Sequence, residues 1–381
     1  MQFTSLKWMC VVLTSSLVGC SQITPLPEHQ VALSQTYPLQ TQGNYQVLSW
    51  DNYVNDQQLI NLVDLALVSN QDLKIASLRI HEAQAAYGIQ RAELFPNIGG
   101  NAGMERNHVP ADLSYVGREM TTSQYSVGLG MNQWELDLWG RIRSLNEAAL
   151  QQFFAVESNV QAVRNSLIQQ TVLSYLTLSE LDKRIYFAQR SVQNYEKSVR
   201  LFKRRYEVGA SSKVEYMQAK TMLSNGQALV TQLEKSRALT ANYLVQLVGQ
   251  PTSLHQTDLD QVTFKTGVLH TGLPSDLLLN RADIRASEAM LKSKHANINA
   301  ARAAFFPRIT LPGSLGTASA DLDGLFKSGS SVWSFAPSIS VPIFTAGRLK
   351  NNLILAEVRK DIGVAEYEKT VQNAFLEVSD A

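Results

Sequence analysis

Few side chains in this sequence are placed to do covalent chemistry. It holds two cysteines, Cys10 and Cys20, and six histidines scattered without metal-ligand spacing. No Walker loop occurs and no Ser-His-Asp set can be singled out, so a catalytic reading has no carrier. Cys20 stands apart because of what precedes it. Lys7 supplies a thin positive region, Trp8 to Leu17 an apolar stretch too short to span a bilayer, and Gly19 a small residue at a cleavage site. That order reads as a secretory leader over 1–19. The only other thiol, Cys10, falls inside the leader, so no disulfide can form.

Leu17-Val18-Gly19-Cys20 resembles the lipobox of bacterial lipoproteins. The resemblance implies that Cys20 becomes the lipidated (palmitate-bearing) mature N-terminus, with no other cofactor. Two or more acyl chains matter physically, since one chain anchors only marginally. Ser21 rather than Asp in the second mature position suggests sorting to the outer membrane. An ordinary secretory leader followed by a stray Cys is the plainer reading. Residues 20–55 carry Pro25, Pro27 and Pro38 among Gln, Thr and Ser, which suits an extended segment laid over a surface.

The elements behind this leader are written twice. "RAELFPNI" at 91–98 returns as "RAAFFPRI" at 302–309, 211 positions later. The first copy follows a helical pattern starting at Asp56, with Leu59, Leu62, Ala66, Leu73, Ala76 and Ile80 on one face of a single helix. Proline disfavours the helical region for the residue before it, so each helix ends at its Phe-Pro: Phe95-Pro96 and Phe306-Pro307. These pairs read as hinges from helix to strand. A first unit over 56–265 and a second, incomplete one over 270–381 follow.

After each hinge the period changes to two. Tyr125, Val127, Leu129 and Met131 alternate with Ser126, Gly128, Gly130 and Asn132. In the second copy Trp333, Phe335, Ile339, Val341 and Ile343 oppose Ser334, Ala336, Ser338 and Ser340, and Ile309, Leu311 and Leu315 alternate similarly. The stretch after Pro96 alternates weakly. Each candidate strand of about 10–12 residues could cross an outer membrane when tilted. A soluble hairpin with one buried face is the bland alternative. Tyr115, Trp134, Trp139, Trp333 and Phe344 could serve as interfacial girdles, while Pro312, Pro337 and Pro342 are awkward inside strands. Four strands cannot close a barrel, and lipid tolerates no open edge, so membrane strands would require several chains; a trimer would supply about twelve.

No Gly or Pro interrupts the sequence from Arg141 to Val208. Leu178, Leu181, Ile185, Ala188, Val192, Tyr195, Val199, Phe202 and Tyr206 recur with alternating spacings of three and four, the left-handed coiled-coil period. Upstream the apolar period relaxes toward eleven residues. "YEVGASSKVEY" turns the chain, with Gly209 as a C-cap and Ser211 or Ser212 as an N-cap, and a second helix runs to about Val248. A plain structural coiled coil would show the same pattern. The net charge of +1 shows no nucleic-acid footprint.

"WELDLWGR" (134–141), "RYEVGASSKVEYMQAKTML" and "NRADIRASEAMLKSKHANINAARAAFFPRITL" resemble hallmarks of the outer membrane factor family, the TolC-like channels, in the lipoprotein branch paired with RND pumps. Ala282 departs from the family's usual Pro. The resemblance implies an α+β membrane protein: a homotrimer with a 12-stranded transmembrane β-barrel in outer membrane lipid and a long α-helical coiled-coil barrel in the periplasm. Its function would be passive export of drugs or other small toxic compounds, fed by an inner-membrane RND transporter through a periplasmic adaptor. Val208, Gly209, Ala210 and Ser211 match the tip that meets the adaptor. Trp134, Gly140 and Arg141, echoed by Gly347 and Arg348, match the strand-to-helix motif. A type I secretion duct and a non-conducting structural lipoprotein are the other readings.

Aligning the copies makes Ala381 correspond to about residue 174–178 of the first. A second tip and return helix are then expected at about 412–455, with the acidic gate residues that the family resemblance implies there. The expectation is a fragment or truncated reading frame.

Overall fold

The computed structural model describes residues 24–26, 50–252 and 280–380. The leader 1–19, Cys20, most of 20–55 and the 265–270 boundary lie outside them. The chain divides into two compact units, one drawing on 1–32, 81–156 and 284–373, the other on 33–80, 157–283 and 374–381. Each unit takes residues from both halves of the sequence.

The first unit holds the sheets. Strands β1 (Ile98–Val109) and β2 (Met120–Met131) form an antiparallel hairpin in continuous register from Ile98↔Met131 to Val109↔Met120. β3 (Arg308–Thr310) and β4 (Gly313–Ser319) are one strand path interrupted at Pro312, and β5 (Ser331–Phe335) and β6 (Ser338–Ser340) another, interrupted at Pro337. Proline lacks the ladder donor, so the paths break where the sequence made strands awkward. The Pro312 carbonyl still accepts from Ala336 N at 3.2 Å. The sheet order is β1-β2-β4-β5, with β3 and β6 paired separately. Val341 and Ile343, expected on the last strand's face, lie past β6, where Pro342 stops the ladder.

Register sorts the two faces. Leu129 sits opposite Leu315, which sits opposite Trp333, and Met131, Gly313 and Phe335 form the next row. On the other face Gly130, Ser314 and Ser334 align, and the two serine hydroxyls bond at 2.7 Å. Gly128 and Gly316 face each other closely. A Cβ on Gly316 would stand 2.2 Å from the Val127 carbonyl oxygen, so no side chain fits there.

The second unit is built mainly on helices, over 57–80 and 157–248. α1 (Gln57–Ser69) and α2 (Gln71–Ala92) stand where one helix was expected. Asn70 separates them, with an extended backbone at ψ 128. Its buried amide donates to the Leu247 carbonyl at 2.8 Å and accepts from Leu73 N at 2.9 Å, which begins α2. One tertiary bond and one local cap bond thus hold the break at Asn70, and no apolar periodicity reports the former. Behind the break, Gly249 is left-handed at φ +80, and an added Cβ would sit 2.4 Å from the Ser69 carbonyl oxygen.

α3 (Arg141–Glu207) runs 67 residues and α4 (Lys213–Val248) returns for 36. Leu181, Ile185 and Ala188 of the heptad stripe pack on Leu233 and Val230. Tyr175, Leu178, Leu244 and Val248 form a core with Val54, Leu59, Leu62 and Val63 of the α1 region. The Tyr175 hydroxyl donates to Asp56 Oδ2 at 2.6 Å, and Asp56 Oδ1 caps α1 through Gln58 N and Leu59 N. Across the α3–α4 seam, Arg237 grips the buried Asp182 with two nitrogens. Among the described residues no helix is long and apolar enough to cross a membrane.

In the second copy α5 (Ala282–Ala303) leads to the other hinge, and α6 (Arg348–Asp380) follows the strands. Arg281, just ahead of α5, pairs with Asp283 and Glu377. Ala282 is the first helical residue of α5, where the fixed φ of proline fits and no backbone donor is lost.

Two stability outcomes follow from these breaks. Asn70→Ala should lower stability by about 2 kcal/mol, since it removes a cap and leaves the Leu247 carbonyl unpaired. Ala282→Pro should be neutral or stabilising by up to about 1 kcal/mol. Thermal unfolding of the detergent-purified protein checks both; a destabilised Ala282→Pro would contradict the helix start assigned here.

Candidate functional site

The corner between helix and strand is made twice by tapering a helix into a proline. At the end of α2, Glu93, Leu94 and Phe95 N donate three residues back, to Gln90, Arg91 and Ala92. At the end of α5, Phe305 and Phe306 N donate to Arg302 and Ala303 in the same way. The side chains then diverge. Phe306 is half-buried and stacks on Trp139, with centroids 5.0 Å apart and planes at 24°. Phe95 is 62 % exposed.

Both motif tryptophans are half-buried at the first unit's corner, against the expectation that they line a lipid girdle. Trp134 Nε1 donates to the Leu94 carbonyl at 3.3 Å, and Trp139 Nε1 to the Pro307 carbonyl at 2.7 Å. Each indole satisfies a carbonyl that a hinge leaves free of helical partners, so a buried donor is the stronger use of the ring. The 134–139 segment also pairs with β3. Leu136 N donates to the Ile309 carbonyl and Leu311 N to the Trp134 carbonyl, each at 2.9 Å. Trp333 is 72 % exposed on β5, Tyr115 is exposed in the β1–β2 loop, and Phe344 is exposed beyond β6.

Charge knits the same corner. Arg141 clamps Glu135 with Nε at 2.9 Å and Nη2 at 2.7 Å, and Arg308 Nε bonds the same carboxylate. Glu135 is 9 % exposed, against 28 % and 58 % for the arginines. Burial pushes its carboxyl up, but the hydrogen bonds and charges of Arg141 and Arg308 outweigh burial and hold it below the ordinary value. Alongside, Asp137 Oδ2 accepts from Arg143 N at 2.8 Å and Arg143 Nε at 3.3 Å. Gly140, left-handed at φ +78, starts α3 behind Arg141. Gly347 repeats that conformation at φ +82, yet Arg348 is exposed. The echoed pair keeps its backbone conformation, and among the described residues Arg348 makes no matching ion cluster.

A cavity of about 440 Å³ opens here, bounded by Phe95, Pro96, Trp134, Glu135, Arg141 and Arg308. Its carboxylate is shared by two guanidinium groups and braces the corner. Glu135 and Arg308 were legible only as parts of quoted motifs, because their pairing spans 173 residues.

The tip between α3 and α4 is exposed. Gly209 is left-handed at φ +76, and its N donates to the Tyr206 carbonyl at 3.0 Å. Ser212, the N-cap of α4, accepts from Glu215 N, while Glu215 accepts from Ser212 N, a reciprocal capping box. Ser211 instead donates its hydroxyl to Glu215. Tyr206 and Tyr216 stack across the turn at 6.1 Å, and Val208 and Val214 stand 72 % and 63 % exposed at its crown. Hydrogen bonds from Ser211 and Ser212 hold the Glu215 carboxyl below its ordinary value. Val208, Gly209, Ala210 and Ser211 thus form one presented turn. Cys20 lies outside the described residues.

An antiparallel sheet with an exposed apolar row, on a chain that also folds a long helical hairpin, fits the class of outer-membrane channel proteins that join strands to coiled-coil helices. The model of the outer membrane efflux protein family matches residues 62–250 and 273–381, and the chain belongs to that family. It is 40% identical to the solvent efflux pump outer membrane protein SrpC of Pseudomonas putida, over 100% of this chain and 82% of SrpC. Identity to the outer membrane protein OprJ of Pseudomonas aeruginosa is also 40%, over 88% of this chain and 70% of OprJ. Among solved structures, the open state of the Neisseria gonorrhoeae MtrE outer membrane channel matches with TM-score 0.83 and 36% identity, over 95% of this chain and 81% of MtrE. A Pseudomonas aeruginosa membrane protein matches with TM-score 0.86 and 37% identity, over 95% of this chain and 82% of its own. The protein is an outer membrane efflux channel subunit.

Glu135→Gln should cost about 2 kcal/mol, because two guanidinium groups lose their shared counter-charge in a half-buried site. The sign with pH follows from the lowered carboxyl value. The stabilisation is complete above the ordinary value of 4.5 and is lost as pH falls through the lower folded value. Thermal melts in detergent across acidic pH should show wild type converging toward Glu135→Gln only at the acid end. A constant gap at all pH would contradict the clamp.

Proposed function

We propose that three copies of this chain pool their strands into a closed barrel of about twelve, and that the closed barrel is a passive exit duct for small apolar or amphipathic toxic compounds. The supporting observation is the sheet itself: order β1-β2-β4-β5, with β1 and β5 as free edges and Leu129, Leu315 and Trp333 in one exposed row. Lipid cannot satisfy those edge groups, and the next protomer can. The opposite face, carrying Gly128, Gly130, Ser314, Gly316 and Ser334, suits a water-filled lumen.

Drive for export then comes from partners. We assign the turn at Val208, Gly209, Ala210 and Ser211 as the contact for a periplasmic adaptor, which joins the duct to an inner-membrane transporter of the RND class. Its exposed valines, set on a capped turn, form a preorganised apolar contact. Cys20 carries the lipid anchor. The curated relatives are named for solvent, toluene and antibiotic efflux, which supports small-molecule cargo.

Cysteines paired across the free edges test the assembly. Asn101→Cys on β1 combined with Val332→Cys or Ser334→Cys on β5 should give covalent dimers and trimers under oxidant, and monomers throughout would refute edge-to-edge closure. Purified protein should form large pores in planar bilayers, and deletion should raise solvent and antibiotic susceptibility. Large pores with unchanged susceptibility would favour a secretion duct. Labelled palmitate should attach to wild type and be lost in Cys20→Ser.

A further inference from the structure

Three polar side chains on one face of α5 converge on a single threonine far away in the sequence. Thr24 N and Oγ1 donate to Asn299 Oδ1 at 3.4 and 3.0 Å, and Asn299 Nδ2 donates back to the Thr24 carbonyl at 3.2 Å. His295 Nε2 meets the same carbonyl at 2.8 Å, and Arg302 Nη1 donates to Thr24 Oγ1 at 3.3 Å. Every polar atom of Thr24 is therefore matched, by residues spaced four and three along the helix. Asn299 is 4% exposed and sits among Ala296, Ala300 and Ala303, all buried. Asparagine is a poor helix former, and an unpaired buried amide costs about 1–3 kcal/mol. Its presence here is explained by one occupant, the backbone and hydroxyl of Thr24.

We propose that His295, Asn299 and Arg302 form a receptor for the chain's own N-terminal segment, a clasp that holds Thr24 against the strand-leading end of α5. Pro25 suits this use. It keeps Thr24 extended, so the threonine's N–H and carbonyl are free to bond the helix. Resting on the reading that Cys20 is the lipidated residue, the clasp has a mechanical consequence. Four residues of extended chain span at most about 14 Å, so the acyl chains are leashed to the corner where α5 passes through Phe306-Pro307 into β3. The anchor then shares the barrel's register with the membrane instead of trailing on a free linker.

Cross-linking in isolated outer membranes tests the clasp. Thr24→Cys paired with Asn299→Cys should form a disulfide in the majority of chains under mild oxidant, read as a linked peptide pair by mass spectrometry. Because Asn299 is buried, a second pair, Thr24→Cys with Arg302→Cys joined by a short bis-maleimide, should link as well. Thr24→Cys with Asn297→Cys, on the opposite face of α5, should stay at background. Background linkage at both 299 and 302 in folded oligomers would overturn the proposal. The pairs are repeated with Cys20→Ala behind a non-lipoprotein leader. Retained linkage is expected, since the clasp and not the lipid holds the segment, and loss of linkage there would also overturn it. Palmitate labelling of the parent reports the lipid separately, so linkage without label would remove the leash and leave the clasp standing.

Discussion

In hydrocarbon an unpaired peptide group costs several kcal/mol, because no water replaces the missing partner. The first unit of this protein answers that cost only halfway. Among the described residues its sheet pairs β1 with β2, β2 with β4 and β4 with β5, and leaves β1 and β5 at the edges. Alternation of Leu129, Leu315 and Trp333 with glycine and serine prepares one face for lipid and one for water. Close approach at Gly128 and Gly316 lets adjacent strands pack without side chains between them.

The strands leave their helices at fixed corners, and the corner is held with polar chemistry. Two indoles donate to the hinge carbonyls of Leu94 and Pro307, and one carboxylate is shared by two guanidinium groups. Directional bonds fix an orientation where apolar packing alone would leave it free to slip. The two corners are nonetheless unequal. Phe306 stacks under Trp139 while Phe95 is left exposed, and Arg141 is clamped while Arg348 is not buried. Repetition of the backbone path did not require repetition of the side-chain contacts.

The second unit follows a different rule. There the heptad stripe of α3 packs on α4, the Asp182–Arg237 pair sets register across that seam, and the Tyr175–Asp56 bond ties α3 to the cap of α1. The turn at Gly209 ends the hairpin with its caps satisfied internally, by Ser212 and Glu215. At its crown Val208 and Val214 stand exposed.

How much of this was legible in the residues depended on the range of the forces. The hinges at Phe95-Pro96 and Phe306-Pro307, the α3–α4 hairpin and its caps, and the alternating strands follow from short-range rules: proline sterics, glycine dihedrals and apolar period. They were readable because each is decided within about one or two turns of chain. Other features were not readable, because their partners are distant in sequence. The split between α1 and α2 hangs on Asn70 reaching Leu247, 177 residues away. Trp134 and Trp139 looked like membrane-girdle residues until their indoles met hinge carbonyls, the latter 168 residues off. Glu135 acquired its second arginine, and Thr24 its receptor, across comparable gaps. Local sequence determined which elements form and where they stop; only tertiary structure decided which polar groups they satisfy in one another, since a hydrogen bond depends on proximity in space and carries no signature in spacing along the chain.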